Sequence, residues 1–502
     1  MHIPPPVFMV TAACLSILPT VHAFYPYQPV YGGSDKPTEQ RRATRPVNSE
    51  YGSITLPLRR VPIRRENQHN IIKSNDPKQE SSVAIDQDGT DLSYMVAVTI
   101  GSSTEEYLLL LDSAASNTWV MGQDCTSDAC DSHNTFGEGD SSTLKKGEEA
   151  FSITYGTGSV SGIVASDTLH LANLSPSLSF GLGTNVSDEF KAYPMDGILG
   201  IGRGDTIPGT VESPQLMDVL STSRLIKAKL FGIHLSRTKD GLNDGELNLG
   251  EPNKERYDGD LNFIPVVESS VEFWELPIDD AGVDGKKLGV KGRSAIIDSG
   301  TSFILMPSDD AAALHKLIPG SEQSGETFTV PCKATQPVQL VFGGKTYNVS
   351  TGDYIGGETS GGNCRSNIIG RKTFGDNQWL VGDVFLKNVY SVFDFDKLQV
   401  GFGVKSGDEK VASASGSASL TATPGKESQT SLLTTRASSP NEPSIGPSAA
   451  ASRTSPADGT TEATAESQQT PGASPSAKGT AAGTRPASFA ALSIAILLSM
   501  FI

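Results

Sequence analysis

A short pattern that occurs twice constrains the fold of this 502-residue chain more than any other feature. In each copy an apolar, strand-like run ends at an aspartate, and very small residues follow. The copies are "LLLDSAASNTWV" at 109–120, which contains Asp112, and "AIIDSGTSFILMP" at 295–307, which contains Asp298. One such turn is an ordinary end for a strand. Two copies 186 residues apart predict two similar β lobes that each present one carboxylate.

Two such turns that face one another can place two carboxylates within hydrogen-bonding distance across a water molecule. Like charges that close do not both ionise, so the pair shares one proton and its apparent pKa values split. The ionised carboxylate can then take a proton from water while the protonated one donates to a carbonyl. The small residues after each aspartate let backbone N–H groups and hydroxyls orient the two carboxylates.

The segment from about 90 to 404 consists of short apolar runs separated by Gly and Asp-Gly turns, which predicts an all-β architecture. About 315 residues are enough for two lobes, which we place at 81–265 and 266–404. The formal net charge of −17 argues against a nucleic-acid partner, because phosphate binding needs a basic surface.

The N-terminus predicts secretion. Residues 1–23 have an apolar core and end in Val-His-Ala, a signal-peptide cleavage pattern. Residues 24–80 are polar, and paired arginines occur at 41–42, 59–60 and 64–65. This leader is either a solvated disordered arm or a propeptide that is cut after a dibasic pair. We predict the propeptide, held by charge on the acidic body.

The cysteines and sequons fit the secretory route. Cys14 leaves with the signal peptide, and four remaining cysteines predict two disulfides with three possible connectivities. Cys125 and Cys130 are close enough for a tight loop, which leaves Cys332 and Cys364 for a longer one. A zinc site is the alternative, but no histidine has ligand spacing, so we expect no metal. Glycosylation sequons begin at Asn173, Asn185 and Asn348.

The C-terminal segment predicts a surface anchor. Residues 405–478 are rich in Ser, Thr, Ala and Pro, which is typical of a disordered, O-glycosylated stalk. Residues 479–502 end in a short apolar run, the pattern of a glycolipid (GPI)-anchor signal. A tail-anchored helix and simple secretion are the alternatives. The prediction is a glycoprotein on the outer surface of the cell membrane or wall.

The segment 90–404 resembles the pepsin-like aspartic proteases in the order and spacing of several motifs. These are the two aspartate turns, the flap-like "YGTGSVSG", the segments "MDGILGIG" and "LVGDVFLKNVYSVFDFDKLQVGFG", and the lobe-connecting "DGELNLGEPNKERYDGDLNFIPV". The Cys125–Cys130 loop also lies where the family keeps a small disulfide. The leader resembles the family's propeptide, and the stalk and terminus resemble the yapsin/CTSD-like, GPI-anchored branch found in fungi.

The resemblance implies a bilobal, all-β, pepsin-like fold with a peptide-binding cleft between the lobes. It implies hydrolysis of polypeptides by a water activated between Asp112 and Asp298, without a cofactor, in a monomer. It also assigns a role to each of the neighbouring residues. Those that would support the two aspartates are Ser113, Ala114, Ser299, Gly300 and Thr301. Those that would form the flap and substrate-binding residues are Tyr155, Gly156, Thr157 and Trp119.

The first turn departs from the family pattern Asp-Thr/Ser-Gly-Thr/Ser, because it reads Asp112-Ser113-Ala114-Ala115. Ala114 is strained only if its φ is positive. Ala115 lacks a hydroxyl that could donate to Asp112, and loss of such a donor raises the pKa. We therefore expect an active protease with a less acidic optimum than its relatives. The alternative is a non-catalytic surface protein that keeps the cleft and binds peptides or wall components.

Overall fold

The computed structural model describes residues 21–22, 69–204, 209–268, 272–359 and 361–406. All of them lie in one compact unit, Met1–Ser417. Apart from residues 21–22, 69–80 and 405–406, the predicted signal peptide, leader, stalk and anchor signal lie outside the described residues. In the described part of the chain, no helix is long and apolar enough to cross a membrane.

The first part of the chain is built from β strands, short helical turns and one α helix, α1 at Leu216–Thr222. The strands are β1 Val21–His22, β2 Ser82–Ala84, β3 Asp86–Gln87, β4 Tyr94–Ile100, β5 Tyr107–Asp112, β6 Trp119–Met121, β7 Lys145–Tyr155, β8 Gly158–His170, β9 Ser177–Val186, β10 Gly197–Gly200, β11 Leu230–His234, β12 Glu246–Leu249 and β13 Tyr257–Pro265. The 3₁₀ turns are Asp128–Ser132, Asp188–Ala192, Thr238–Asp240 and Lys254–Arg256.

The second part is again mostly β. Its strands are β14 Glu275–Ile278, β15 Asp280–Val283, β16 Lys286–Lys287, β17 Arg293–Ile297, β18 Ile304–Met306, β19 Glu322–Ser324, β20 Thr327–Pro331, β21 Val338–Phe342, β22 Lys345–Val349, β23 Ile355–Glu358, β24 Asn363–Ser366, β25 Ile368–Gly370, β26 Gln378–Val381, β27 Val389–Asp394 and β28 Gln399–Lys405. Its helices are α2 Ser308–His315, α3 Thr351–Tyr354 and α4 Asp383–Leu386.

The sheets define two lobes and a joint between them. A nine-stranded sheet has the order β1-β7-β8-β9-β6-β10-β5-β4-β3 and forms the first lobe. The second lobe contains a five-stranded sheet, β14-β17-β26-β18-β25, and two four-stranded sheets. A six-stranded sheet, β13-β28-β27-β11-β12-β2, combines strands from both parts of the chain. The predicted bilobal, all-β fold is confirmed.

The repeated sequence pattern produces the same local topology twice. In the first lobe β10 pairs parallel with β5 and antiparallel with β6. In the second lobe β26 pairs parallel with β17 and antiparallel with β18. All six residues of β5 are buried, which explains its continuous apolar run, since a strand covered on both faces needs no polar alternation.

Both disulfides form in the connectivity that the cysteine spacing favours. Cys125 pairs with Cys130 across a Cα–Cα distance of 6.2 Å. Cys332 pairs with Cys364 across 4.9 Å and closes a longer loop in the second lobe. Within the described ranges, no cluster of histidine, cysteine and acidic side chains could hold a metal ion.

Residues 69–80, which we call the strap, lie against both the first lobe and the six-stranded sheet. The backbone N–H groups of Ile72 and Gln87 each donate to the other's carbonyl. Further along, the Asn75 side chain donates to the carbonyls of Leu242 and Asn243, each at 3.0 Å. The strap thereby ties the chain before the first lobe to the sheet that joins the lobes.

Candidate active site

The two turns that follow β5 and β17 meet between the lobes and bring the predicted aspartates together. Asp112 ends β5, and Asp298 follows β17 directly. Both side chains are completely buried, and a hydrogen bond joins the two carboxyl groups. Oδ2 of Asp112 has no donor among the other described groups, so this oxygen is left for the shared proton or for water.

The first turn holds its aspartate with backbone groups alone. The N–H groups of Ala114 and Ala115 donate to Oδ1 of Asp112 at 2.9 and 2.7 Å. Neither donation needs a side chain, so the two alanines preserve it. Ala114 is not among the residues with positive φ, and its methyl therefore causes no backbone strain.

The second turn adds a hydroxyl. The N–H of Gly300 donates to Oδ1 of Asp298 at 2.8 Å, and the Thr301 hydroxyl donates to Oδ2 at 2.5 Å. Ala115 stands at the corresponding place in the first turn and has no such donor. Each aspartate thus has two donors, but Asp298 has one on each carboxylate oxygen, whereas both donors to Asp112 reach Oδ1 and none reaches Oδ2. The ionised form of Asp298 is therefore better stabilised than that of Asp112, because its negative charge is shared by both oxygens.

The two turns also hold each other through reciprocal bonds between Ser113 and Ser299. Each hydroxyl accepts the backbone N–H of the other serine, at 3.0 and 3.1 Å. Each hydroxyl also donates to a carbonyl of the opposite catalytic strand, Ser113 to Ile297 at 3.0 Å and Ser299 to Leu111 at 2.7 Å. These four bonds fix the distance between the carboxyl groups.

Burial governs the acidity of the pair. It raises the pKa of Asp112 well above its usual value, and the neighbouring charge of Asp298 raises it further. Burial also raises the pKa of Asp298, to about 7, although Thr301 and Gly300 oppose the rise. The pair therefore holds a proton in mildly acidic solution and can act there as both acid and base.

The predicted flap residues lie in the turn between β7 and β8. Tyr155 ends β7, and the turn through Gly156 and Thr157 leads into β8. The hydroxyl of Tyr155 accepts the indole N–H of Trp119 at 2.8 Å. Phe190 packs edge-on against both rings, with centroids 5.4 Å from Trp119 and 6.4 Å from Tyr155.

Two features of the site escaped the sequence analysis. Asp383, at the start of α4, is buried, and its burial raises its pKa well above the usual value; the charges of Asp298 and Asp112 raise it further. An apolar wall of partly exposed side chains packs against the small buried cluster that contains Ala114: Phe273, Phe303, Ile369 and Phe374. The motif "LVG" directly before Asp383 was a sequence signal for this residue. The apolar wall has no such signal, because its residues are distant in sequence.

The remaining predicted residues lie elsewhere on the molecule. The side chains at the three sequons, Asn173, Asn185 and Asn348, are exposed. Asn185 Oδ1 accepts from the Ser127 hydroxyl at 3.0 Å, close to the Cys125–Cys130 loop. No hydrogen bond described above links either disulfide to the aspartate pair.

Comparison with known proteins agrees with this geometry. Residues 93–405 match the family described as eukaryotic aspartyl protease. "Aspartic-type endopeptidase ctsD" of Aspergillus fumigatus is 42% identical over 356 residues, which cover 70% of this chain and 74% of that protein. Cathepsin D of Dictyostelium discoideum is 33% identical over 63% of this chain and 84% of its own length. Pepsin A of Bos taurus is 32% identical, with 63% and 85% covered.

Proposed function

Since the chain belongs to the pepsin-like family of eukaryotic aspartyl proteases and is an aspartic-type endopeptidase, we propose that it is a zymogen-derived protease of the cell surface in which Asp298 is the base and Asp112 the acid. The observation that supports this assignment is the unequal set of donors. Asp298 has a donor on each carboxylate oxygen, whereas Oδ2 of Asp112 has none, so the shared proton resides on Asp112.

The reaction follows from that assignment. Asp298 removes a proton from a water molecule, whose oxygen attacks the carbonyl carbon of the scissile peptide bond, while Asp112 donates its proton to the carbonyl oxygen. The resulting diol collapses, the C–N bond breaks, and the nitrogen takes the proton from Asp298 while a diol hydroxyl returns one to Asp112. The products are a carboxylic acid and an amine, and the pair regains its starting protonation state.

The substrate class follows from the apolar wall. Phe273 and Phe374, whose ring centroids are 5.1 Å apart, pack against the buried cluster that includes Ala114, a residue of the turn that carries Asp112. A polypeptide whose apolar side chain adjoins the scissile bond would cover these rings. Burial of one large apolar side chain contributes about 1.5–3 kcal/mol, enough to favour such sequences over polar ones.

Surface attachment and activation rest on the sequence. The signal peptide, the basic leader with its arginine pairs, the Ser/Thr-rich stalk and the apolar terminus support secretion as a zymogen and retention by a glycolipid anchor. Release of the protein from intact cells by a phosphatidylinositol-specific phospholipase tests the anchor. Protein that stays on the treated cells, or that is found only in the medium, contradicts it.

The activity test uses secreted, leader-free protein incubated with a mixed peptide library from pH 3 to 7, with and without pepstatin. We expect pepstatin-sensitive cleavage next to apolar residues and no cleavage by the Asp298→Asn variant. Absence of cleavage by folded protein would instead favour the peptide-binding alternative. The Ala114→Gly variant would then show whether one methyl group had silenced the site.

A further inference from the structure

The polypeptide that leaves β9 clamps the base of the flap. Ser187 follows β9 and precedes the 3₁₀ turn Asp188–Ala192. Its N–H donates to the carbonyl of Ser159 at 3.0 Å, and its hydroxyl accepts the N–H of Ser159 at 2.9 Å. Ser159 is the second residue of β8, immediately after the flap turn, so both bonds act at the point where the flap leaves the lobe.

The hydroxyl of Ser187 is committed to the flap rather than to its own helical turn. A serine at the N-cap ordinarily accepts a backbone N–H from the first turn. Ser187 is the N-cap of Asp188–Ala192, yet its side chain makes no capping bond there. The turn therefore forgoes a stabilising interaction that the hydroxyl supplies to β8 instead.

Close packing shows that this contact is specific. A Cβ atom at Gly158 would lie 2.7 Å from the Ser187 hydroxyl oxygen and 2.8 Å from the Phe190 ring. Glycine at this position is thus what lets Ser187 and Phe190 approach the flap. Phe190 belongs to the turn that Ser187 begins, and it packs on both Tyr155 and Trp119.

We propose that Ser187 is a positioning residue for catalysis, which sets the resting position of the flap through its two bonds to Ser159. The inference rests on the proposed peptidase function and on the predicted role of this turn as a flap over the bound polypeptide. Without the hydroxyl, one bond instead of two joins Ser187 to Ser159, and ordering the flap over the substrate costs more free energy. That cost arises on binding, so it raises KM more than it lowers kcat.

Ser187 is also the third residue of the Asn185 sequon, which provides a matched control. Ser187→Ala removes both the hydroxyl and glycosylation at Asn185. Asn185→Gln removes the glycan together with the bond from Ser127 to Asn185, but leaves both bonds between Ser187 and Ser159. Ser187→Thr keeps both the hydroxyl and the sequon. A comparison of these three variants separates the effect of the bonds between Ser187 and Ser159 from the effect of the glycan.

The test measures kcat, KM and the thermal unfolding midpoint of each secreted variant on one peptide substrate. We expect Ser187→Ala to raise KM by about 3- to 10-fold, as for loss of one hydrogen bond, with kcat within about twofold. Asn185→Gln and Ser187→Thr should match the parent. The half-exposed hydroxyl contributes little to global stability, so the unfolding midpoint should stay within about 2 °C of the parent.

Two outcomes would overturn the proposal. One is an unchanged KM in Ser187→Ala, and the other is an equal rise in Asn185→Gln, which would assign the effect to the glycan. Failure of the proposed function is distinguishable, because the parent enzyme would then cleave nothing and Ser187→Ala would have no KM to compare.

Discussion

One hydroxyl distinguishes the environments of the two aspartates that we propose as catalytic. Thr301 donates to Asp298, whereas Ala115 offers Asp112 only its backbone N–H. A donor to a carboxylate lowers its pKa, and an ordinary hydrogen bond to a charged group corresponds to about one pH unit. The acidity of the pair is therefore set by a side chain that is present in one turn and missing from the other.

Adding or removing this hydroxyl should move the pH optimum in opposite directions. We expect Ala115→Ser to shift the maximum of kcat/KM by about 0.5–1 pH unit to more acidic values, because it supplies the missing donor. Thr301→Ala should shift the maximum to less acidic values. Profiles from pH 2.5 to 8 check both, and shifts in the same direction would contradict the role given to the hydroxyl.

The two turns should also differ in their tolerance of a methyl group. A Cβ at Gly300 would lie 2.5 Å from Cγ of Asp112, so Gly300→Ala must displace the catalytic carboxylate. We expect a loss of at least about 100-fold in kcat, in keeping with the effect of misplacing a catalytic group. Ala114→Gly should stay within about threefold of the parent. A loss in Ala114→Gly as large as that in Gly300→Ala would contradict this difference, because it would show that the site depends on the methyl of Ala114.

These residues show what the sequence can predict. The aspartates, the serines and the flap tyrosine were all identifiable, because each lies in a short motif whose spacing reflects local geometry. The sign of φ at Ala114 was not, since it depends on how the turn packs against the second lobe. Phe273 and Phe374 were missed for the same reason, because their contact joins segments about 100 residues apart.

At the scale of elements, the strap is held by few but well-placed bonds. The Asn75 side chain reaches the carbonyls of both Leu242 and Asn243, and its backbone N–H donates to Asn243 at 2.7 Å. None of the strap's hydrogen bonds described above involves the aspartate turns or the flap. Its contribution is therefore to stability rather than to chemistry.

We expect Asn75→Ala to lower the thermal midpoint by about 2–4 °C while kcat/KM is unchanged. Lys78→Ala is the matched control, because Lys78 is an exposed residue of the same strap. Differential scanning fluorimetry of the two leader-free variants would check the prediction. An equal midpoint for both would mean that the bonds of Asn75 do not stabilise the folded enzyme.

The extended motifs of the elements were easier to predict than their pairing. The apolar runs of β5 and β17 were clear in the sequence, as were the Gly-containing turns between strands. The six-stranded sheet was not predictable, because it pairs β2 with β12 and β13 with β28, which are far apart along the chain. Such register depends on the packing of both lobes and leaves no local signature.

For the whole molecule, two sets of buried groups have opposite effects on stability as the pH changes. Four carboxyls are at most 1% exposed, and burial raises their pKa: Asp112, Asp196, Asp298 and Asp383. The values for Asp196 and Asp298 are about 6 and about 7. Burial lowers the pKa of three histidines to about 4: His69, His234 and His315.

The sign of each effect follows from proton linkage. Asp196, Asp383 and the Asp112–Asp298 pair, which shares one proton, keep protons that the unfolded chain releases. Their contribution to stability therefore falls as pH rises from about 4 through their folded pKa values. The unfolded histidines bind protons below about pH 6.5 that the folded ones do not, so their contribution rises over the same interval. Of these seven groups, only the carboxyls still titrate well above pH 6.5. We expect a nearly flat free energy of unfolding between pH 4 and 6.5 and a decline above pH 7.

Urea denaturation from pH 4 to 8 checks this expectation. The Asp383→Asn variant removes one carboxyl that must ionise, so its decline above pH 7 should be shallower than that of the parent. A free energy of unfolding that rises through pH 7 would contradict the assignment of protonated, buried carboxyls.

The reciprocal bonds between Ser113 and Ser299 also determine when the site can assemble during synthesis of the chain. The chain is synthesised from its N-terminus, and the first lobe can fold while the second is still being made. That lobe carries Asp112, but its partner turn lies 186 residues further on. A nascent chain that ends before the second turn therefore carries only one of the two aspartates. The pair of carboxylates therefore cannot assemble until the turn that carries Asp298 has also been synthesised.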